Sequence, residues 1–240
     1  MEQAITATNP RIILPDVSLA AIVRDELMNP AGGIVDFVHS TVPFVEEAVI
    51  VDTGSKDGTR PALEELQIRY PQLRVFDREF DDYASSRNFS LAQVRTKSVL
   101  VLDADERLRA EDFVTLAGIM KKGHYRSYGF KFMDCFISES EDELIDGHNP
   151  RLFLKEGKQY FGMVESLYDQ YLTPITNKRD YLFTKIIINH FGSTKSDSRR
   201  KEKEWYENVV KLGLATNTAP SDLPGFREWK RYNPRREESR

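Results

Sequence analysis

The most constraining feature of this sequence is the alternation of short apolar runs with helical patterns in its first half. Apolar runs typical of buried strands occur at 18–24, 48–52, 73–77 and 98–103. Helical patterns lie between these runs, at 31–42, after Thr59 and at 81–94. This alternation is typical of a parallel sheet with helices on both faces. The run at 98–103 is the most apolar, so we expect that strand at the centre of the sheet.

The starts of the predicted helices carry their own signals. Thr59 is predicted to cap the second helix, and Pro61 suits its first turn, where a missing N–H breaks no hydrogen bond. Asp81 and Asp82 stand at the start of the third helix, where carboxylates favour the positive end of the helix dipole. These signals support three separate helices between the four strands.

The pattern changes after Leu108. A helix is predicted at about 110–122, followed by strands at 128–138, 151–155 and 181–189, and the chain closes with a helix at 201–213. The acidic stretch at 138–147 is typical of an exposed hairpin tip or loop. We therefore predict an α/β fold with a doubly wound, mixed sheet. Its N-terminal half is mostly parallel, and its C-terminal extension is antiparallel and belongs to the same domain.

The composition excludes several classes of protein. The formal net charge of −4 argues against a nucleic-acid binder, which needs a clustered basic face. Cys135 is the only cysteine, so the chain has neither an intramolecular disulfide nor a CxxC motif. No apolar run approaches the ~20 residues of a spanning helix, and the start lacks the features of a signal peptide. We therefore expect a cytoplasmic protein without a transmembrane segment.

The end of the chain differs in charge from the rest. From Arg199 onward it carries 11 Lys+Arg and 7 Asp+Glu, whereas the remainder is acidic. A slightly basic tail is consistent with a solvated end or with peripheral contact with anionic lipid.

Charged side chains follow the predicted strands at the positions where parallel-sheet proteins bind ligands. The carboxyl ends of parallel strands meet at one edge of a sheet, so charges on successive strands indicate a shared ligand. The candidate binding residues are Val23, Arg24 and Glu26 after the first strand, Asp52 after the second, Arg87 after the third, and Asp103, Ala104 and Asp105 after the fourth.

Asp103 and Asp105 form the most specific of these groups. Their side chains are one alternation apart, so an extended backbone directs both carboxylates to the same side. Two carboxylates that close repel each other unless a cation joins them, and oxygen ligands favour Mg²⁺ or Mn²⁺. The alternative is an ordinary turn in which Asp105 caps the following helix.

Three motifs in this order resemble family 2 glycosyltransferases of the GT-A fold: VIVDTGSKDGT, FDDYASSRNFSL and VLVLDADERL. The resemblance runs from Ser18 to Glu106 and continues weakly through NPRLFLKEGKQYFGMVESLYD and INHFGS. It implies an N-terminal extension at 1–17, a nucleotide-sugar-binding half at 18–108, an acceptor-binding half at 109–195, and a C-terminal helix with a basic tail at 196–240.

The resemblance also implies roles for individual residues. Asp52 matches the residue that contacts the base or ribose, and Arg87 matches an arginine near the nucleotide. Asp103 and Asp105 match the DxD motif, which holds Mn²⁺ or Mg²⁺ on the diphosphate. His190 matches a late histidine that can complete the metal shell.

The sequence departs from the family where the catalytic base is expected. Relatives carry G-x-(V/I)-H-E after the R-x-F strand, whereas Val164 is followed here by Glu165 and Ser166. Glu165 is the first candidate for the base and Asp134 is the second.

These observations predict the transfer of a sugar from a nucleotide-diphosphate donor, favoured as UDP-linked, to a hydroxyl of a carbohydrate or lipid-linked acceptor. The resemblance implies inversion at the anomeric carbon. One alternative is a nucleotidyltransferase, although RDELMNP is not the glycine-rich loop typical of that class. A haloacid dehalogenase-type phosphatase also has an Asp-x-Asp, but normally on its first strand. The remaining alternative is a catalytically silent nucleotide-sugar-binding module.

Overall fold

The computed structural model describes residues 13–27, 29, 32–123, 125–135, 143–161, 166–169 and 180–191. All of them belong to one compact unit, Met1–Thr194. Glu165, the helix predicted at 201–213 and the basic tail lie outside the described residues.

The first half of the chain alternates strands and helices as predicted. Its elements are β1 (Leu14–Val23), α1 (Gly33–Thr41), β2 (Val45–Asp52), α2 (Thr59–Arg69), β3 (Leu73–Asp77), α3 (Tyr83–Gln93) and β4 (Ser98–Val101). A short 3₁₀ turn, Val42–Phe44, joins α1 to β2.

Within its described residues, the second half adds several strands and one further helix. Its described elements are β5 (Glu106–Arg107), α4 (Ala110–Lys122), β6 (Ser127–Asp134), β7 (Glu143–Leu154), β8 (Lys158–Phe161), β9 (Ser166–Asp169) and β10 (Tyr181–His190).

Eight of these strands form one mixed sheet in the order β3-β2-β1-β4-β7-β6-β10-β5. Strands β3, β2, β1 and β4 are parallel, whereas β7 is antiparallel to both β4 and β6. Strand β10 runs parallel to β6 and antiparallel to β5. The predicted α/β fold, with a parallel half and an antiparallel extension, is therefore confirmed, and β4 lies in the middle as expected.

The sheet is covered on both faces because its strands are apolar on both faces. Leu19 and Ala21 of β1 belong to the cluster that includes α1, α2 and α4, whereas Ala20 between them belongs to the cluster that includes α3. A strand alternates its side chains between faces, so one apolar run contributes to two cores. This packing holds the carboxyl ends of the strands in fixed positions at one edge.

One prediction about local structure is wrong, and the hairpin tip predicted at 138–147 is only partly right, because the hairpin of β6 and β7 has a shorter connection. Gly58, and not Thr59, is the N-cap of α2, and its φ of 97° is a conformation that glycine adopts without strain. The side chain of Thr59 instead accepts a hydrogen bond from the Glu26 backbone N–H (2.8 Å). The acidic stretch is also not a loop throughout, since Glu143 begins β7 and pairs with Asp134 in β6. Strand β6 supplies backbone hydrogen-bond partners to the start of β7, and the amino-acid composition of the acidic stretch does not predict this pairing.

Candidate active site

The carboxyl ends of β1, β2 and β3 lie side by side, because Val23 pairs with Asp52 and Asp52 pairs with Asp77. The loops that follow these strands carry most of the predicted binding residues. We describe this edge of the sheet as three groups of side chains.

The first group ties the loop after β1 to the loop after β2. The backbone N–H of Thr53 donates to the Val23 carbonyl (2.9 Å), and the N–H of Lys56 donates to Asp25 Oδ1 (2.6 Å). Asp25 has a φ of 53°, a turn conformation, and its N–H donates to Ser55 Oγ (2.9 Å). These bonds hold the two loops together before any ligand binds.

Arg24 and Glu26 differ in their exposure to solvent. The Arg24 side chain is 19% exposed and lies 3.9 Å from the Asp25 carboxylate. Glu26 is buried, accepts from Asn29 Nδ2 (3.2 Å), and its carbonyl accepts from Ile34 N–H (2.8 Å). Glu26 therefore shapes the loop, whereas Arg24 lies nearer to solvent.

Asp52 is buried at the end of β2, and one of its two carboxylate oxygens accepts hydrogen bonds from the described residues whereas the other does not. Its Oδ1 accepts hydrogen bonds from the backbone N–H groups of Gly54 (2.8 Å) and Ser55 (2.7 Å). Its buried Oδ2 accepts no hydrogen bond from the described part of the chain. A buried polar atom without a partner is costly, so this oxygen is a ready acceptor for a ligand N–H or O–H.

The second group surrounds Asp103. Arg87, a fully buried side chain of α3, donates from Nη2 to Asp103 Oδ1. Arg151 of β7 places its Nη2 3.8 Å from Asp103 Oδ2 and donates to Glu106 Oε1 (2.5 Å). The other oxygen of Glu106 accepts from the Asp103 backbone N–H (2.9 Å). Two guanidinium groups and two carboxylates therefore share this part of the edge.

The ionised forms of Asp103 and Glu106 are stabilised to different extents by their neighbours. Burial opposes ionisation of Asp103, but Arg87 and Arg151 lower its pKa to about 2. Burial raises the pKa of Glu106 to about 7, and the nearby Asp103 and Asp105 add to that rise. Asp103 is thus firmly ionised, and its side chain remains 31% exposed.

The third group centres on His190 at the end of β10. His190 Nδ1 lies 2.6 Å from Asp134 Oδ1, and His190 Nε2 lies 3.6 Å from Asp105 Oδ2. Burial alone would lower the pKa of His190, but the hydrogen bonds and charges of Asp105 and Asp134 raise it to about 9. The Phe191 N–H donates to the Asp105 carbonyl (2.8 Å), which fixes the loop against β10.

The Asp105 carboxylate and the His190 imidazole in this third group are side-chain types that bind divalent metal ions. Asp134 accepts a hydrogen bond from Nδ1–H and so orients the ring with Nε2 directed at Asp105. With a pKa of about 9, His190 carries a proton on Nε2 as well at neutral pH, and a metal ion bound at Nε2 would displace that proton. Among the described residues no set of three carboxylate, imidazole or thiol groups lies together as a ligand cluster. Two protein ligands nevertheless fit Mg²⁺ or Mn²⁺, which commonly take one or two carboxylates together with water and substrate phosphates.

The structure therefore brings together some of the predicted residues. Arg87 meets Asp103, and His190 meets both Asp105 and Asp134. The first aspartate of the DxD pair is held by arginines and the second faces the histidine. Glu165 lies outside the described residues.

Three residues of this edge were not singled out from sequence: Glu106, Arg107 and Arg151. Arg107 is buried and donates to the carbonyls of Ala104 (2.7 Å) and Gly33 (3.0 Å) and to Asp36 Oδ2 (2.9 Å). It therefore fixes the loop after β4 against the start of α1. A charged residue beside apolar strand residues could have identified such positions from the sequence. Arg151, which precedes Leu152 and Phe153, is an example.

The family model described as Glycosyl transferase family 2 matches residues 34–191, which include β2, β4 and β10 with their site residues. A TPR repeat-containing protein from Synechococcus elongatus is 33% identical over 103 residues, which are 43% of this chain. The chain spans 24% of that relative's length.

Solved structures are similar in fold. A mannosyltransferase from Pyrobaculum calidifontis, PcManGT, in complex with GDP-Man and Mn²⁺, has a TM-score of 0.55 at 16% identity. That match covers 91% of this chain and 70% of the mannosyltransferase. S. aureus TarS has a TM-score of 0.54 at 14% identity, over 87% of this chain and 40% of TarS. None of the described helices is long and apolar enough to cross a membrane.

Proposed function

This chain belongs to glycosyl transferase family 2, and on that premise we propose that it transfers a sugar from a nucleotide-diphosphate sugar to an acceptor hydroxyl. The observation that carries the proposal is the convergence of Asp52, Asp103 and Asp105 on one edge of the sheet, with two arginines and His190 beside them. A polyanionic donor needs cationic partners, and an edge with both cations and metal-ligating groups suits a diphosphate.

Asp52 is proposed to bind the nucleoside part of the donor. Its buried Oδ2 accepts no hydrogen bond from the described residues, so a base N–H or a ribose hydroxyl would supply the missing donor. We favour a uracil base, and the GDP-Man bound to PcManGT makes guanine the alternative to test.

Asp105 and His190 are proposed to hold Mn²⁺ or Mg²⁺. Asp103, the first aspartate of the DxD motif, is proposed to contribute to the same metal site. When bound, such an ion neutralises charge that develops on the departing diphosphate. The Mn²⁺ in the PcManGT complex supports a divalent ion without identifying which one this chain uses. Asp134 accepts from Nδ1–H and orients the ring, so that Nε2 would bind the ion in place of its own proton.

The proposed reaction is a displacement at the anomeric carbon of the donor sugar, and charged residues of the chain contribute to it. The acceptor oxygen attacks the anomeric carbon, its proton passes to Glu165, and the bond from that carbon to the diphosphate oxygen breaks. This single displacement inverts the anomeric carbon. Arg87 provides fixed positive charge near the leaving group, and fixed charge stabilises a developing anion without reorganisation.

The acceptor is proposed to be a carbohydrate or a lipid-linked saccharide bound beside the strands of the second half. Asp134 is close to His190, so its proposed role is to orient that residue, and Glu165 remains the proposed base.

Thermal unfolding with UDP-, GDP- and dTDP-sugars, each with and without Mn²⁺, tests the proposal. One sugar nucleotide should raise the melting temperature, and Mn²⁺ should enlarge the shift, because ligands that bind only the folded state stabilise it. Failure of every nucleotide sugar to shift the transition would contradict the proposal.

The Glu165-Ser166 pair in place of His-Glu favours one second candidate, a binding module without transfer activity. Isothermal titration beside a donor-hydrolysis assay separates the two functions. Tight, metal-dependent binding without turnover of the bound donor on any acceptor would identify the module.

A further inference from the structure

Glu106 and Arg151 form a buried ion pair between the two halves of the chain. Glu106 is the first residue of β5 and directly follows the loop that carries Asp103 and Asp105, whereas Arg151 lies on β7. The two residues are separated by 45 positions in sequence and joined by a 2.5 Å hydrogen bond. Their side chains are 2% and 16% exposed.

Stability alone is a weak explanation for such a pair. Removing two charges from water costs free energy that their attraction only partly returns, and apolar replacements of buried pairs are often as stable. The Arg151 guanidinium also lies 5.1 Å from the centre of the Phe132 ring, in surroundings that could hold an apolar side chain. The geometry around Asp103 offers a more specific reason.

Both members of the pair act on Asp103. Glu106 Oε2 accepts the Asp103 backbone N–H (2.9 Å), and Arg151 Nη2 lies 3.8 Å from Asp103 Oδ2. Arg87 approaches the same carboxylate from α3 at its other oxygen, Oδ1. The backbone and the carboxylate of Asp103 are therefore held from three elements that surround it.

We propose that Glu106 and Arg151 are positioning residues that hold Asp103 in the orientation required for the metal-diphosphate part of the donor. The pair makes β7, a strand of the proposed acceptor half, part of the donor site. This inference rests on the proposed function. It extends that function to residues that need not touch the donor.

A second buried ion pair supplies a matched control. Glu47 of β2 accepts from Arg74 of β3 at 2.6 Å, and Glu47 is also buried. Glu47 precedes Asp52 on the same strand by about 16 Å of extended chain. Loss of this pair should lower stability without altering the edge that carries Asp103.

The test is isothermal titration of UDP and of GDP, with and without Mn²⁺, on the full chain and its variants. Arg151→Met should weaken Mn²⁺-dependent nucleotide binding by about 10- to 100-fold, the usual range for outer-shell partners of metal ligands. Metal-free affinity should change by less than about twofold, because the Asp52 end of the site is untouched. Arg151→Lys should restore part of the lost affinity.

Arg151→Met leaves the Glu106 charge buried without its partner, so it can also lower folding stability. The double variant Glu106→Gln/Arg151→Met removes both charges and keeps a folded protein available for titration. If the two residues act as one unit, its loss of Mn²⁺-dependent affinity should equal that of Arg151→Met within about twofold. Arg74→Met should lower the melting temperature and leave both affinities unchanged.

The possible failures are distinguishable. Wild-type protein that binds neither nucleotide, with or without Mn²⁺, would overturn the proposed function and this inference with it. Wild-type Mn²⁺-dependent binding that persists equally in Arg151→Met and in the double variant would overturn the inference alone. Equal losses with and without Mn²⁺, matched by Arg74→Met, would assign the pair a purely structural role and would also overturn it.

Discussion

The environment of each carboxylate at the sheet edge is set by a few neighbouring charges. Asp103 faces two guanidinium groups, Asp105 faces an imidazole, and Asp52 has one oxygen without a partner among the described residues. Three aspartates at one edge are therefore chemically distinct. Each distinction predicts a different effect of substitution.

Asp105→Asn should weaken Mn²⁺-dependent nucleotide binding about 10- to 100-fold or abolish it, because an amide is a poor replacement for a carboxylate ligand. Asp103→Asn should do the same, and both variants should stay folded, since the two residues follow β4 and lie outside its apolar run. Titration of nucleotide with and without Mn²⁺ measures the effect. Unchanged Mn²⁺-dependent affinity in both variants would refute the metal assignment.

Asp52→Ala should weaken nucleotide binding even without metal, because its proposed partner is the base or ribose. Loss of a charged hydrogen-bond partner costs roughly 1.5–3 kcal/mol, which is about 10- to 100-fold in affinity. Asp77→Ala is the control, since Asp77 pairs with Asp52 in the sheet and its side chain is 65% exposed. Equal metal-free affinity for UDP and GDP in wild type and Asp52→Ala would count against the assignment.

Glu165→Gln should leave donor binding unchanged and lower turnover by about 10²–10⁴, the range for loss of a general base. Asp134→Asn should act differently, by weakening Mn²⁺-dependent binding about 10- to 100-fold through His190. Steady-state transfer assays beside titration measure both effects. If Asp134→Asn removed turnover with donor binding intact, and Glu165→Gln did not, the base would be Asp134.

At the scale of elements, β2 carries acidic residues near its start and at its end, with apolar residues between them. Glu47 near the start of β2 accepts from Ser18 Oγ (2.6 Å), Arg74 Nη1 (2.6 Å) and the Arg95 N–H (2.9 Å). These bonds connect β1, β2 and β3 to the segment after α3. The amino ends of the strands are therefore held by one carboxylate, while ligand-binding groups occupy the carboxyl ends.

Glu47→Gln should destabilise the protein by roughly 1.5–3 kcal/mol at neutral pH, through loss of charged hydrogen bonds. Although burial opposes ionisation, the bonds from Ser18, Arg95 and Arg74 lower the pKa of Glu47 in the folded state. The stability it contributes is therefore present above the unfolded-state pKa and is lost as the pH falls from that value through the lower folded-state pKa.

Urea unfolding across that pH range measures the effect. The wild type should lose stability more steeply with acid than Glu47→Gln does. Glu64→Gln is the control, because the Glu64 side chain is 64% exposed and its pair with Arg60 should contribute about 0–1 kcal/mol. Parallel stability profiles for wild type and Glu47→Gln would show that this carboxylate does not contribute to acid sensitivity.

At the scale of the whole molecule, the order of strands decides which distant residues meet. Strand β7 lies between β4 and β6, so Arg151 lies beside the loop that follows β4. Strand β10 lies between β6 and β5, so His190 lies between Asp134 and Asp105. The site therefore consists of a donor edge from the first half of the chain, completed by strands of the second half.

The elements of the first half, and the edge at which the site lies, follow from the sequence alone. Continuous apolar runs at 18–24 and 48–52 indicate strands buried on both faces, and residues such as Asp52 and Asp103 must then lie at the strand ends. These inferences depend only on the period of a strand or helix and on the direction of parallel strands. Thr59 is an exception, because its capping signal was local and its hydroxyl serves the adjacent loop instead.

Only the tertiary structure decided the partners of the charged residues. Arg151 is separated from Glu106 by 45 positions, and His190 from Asp134 by 56. Local hydrophobic patterns do not encode strand order, which depends on the packing of the whole sheet. Whether a carboxylate meets a guanidinium, an imidazole or solvent depends on that order, and the same environment determines its pKa and its chemistry.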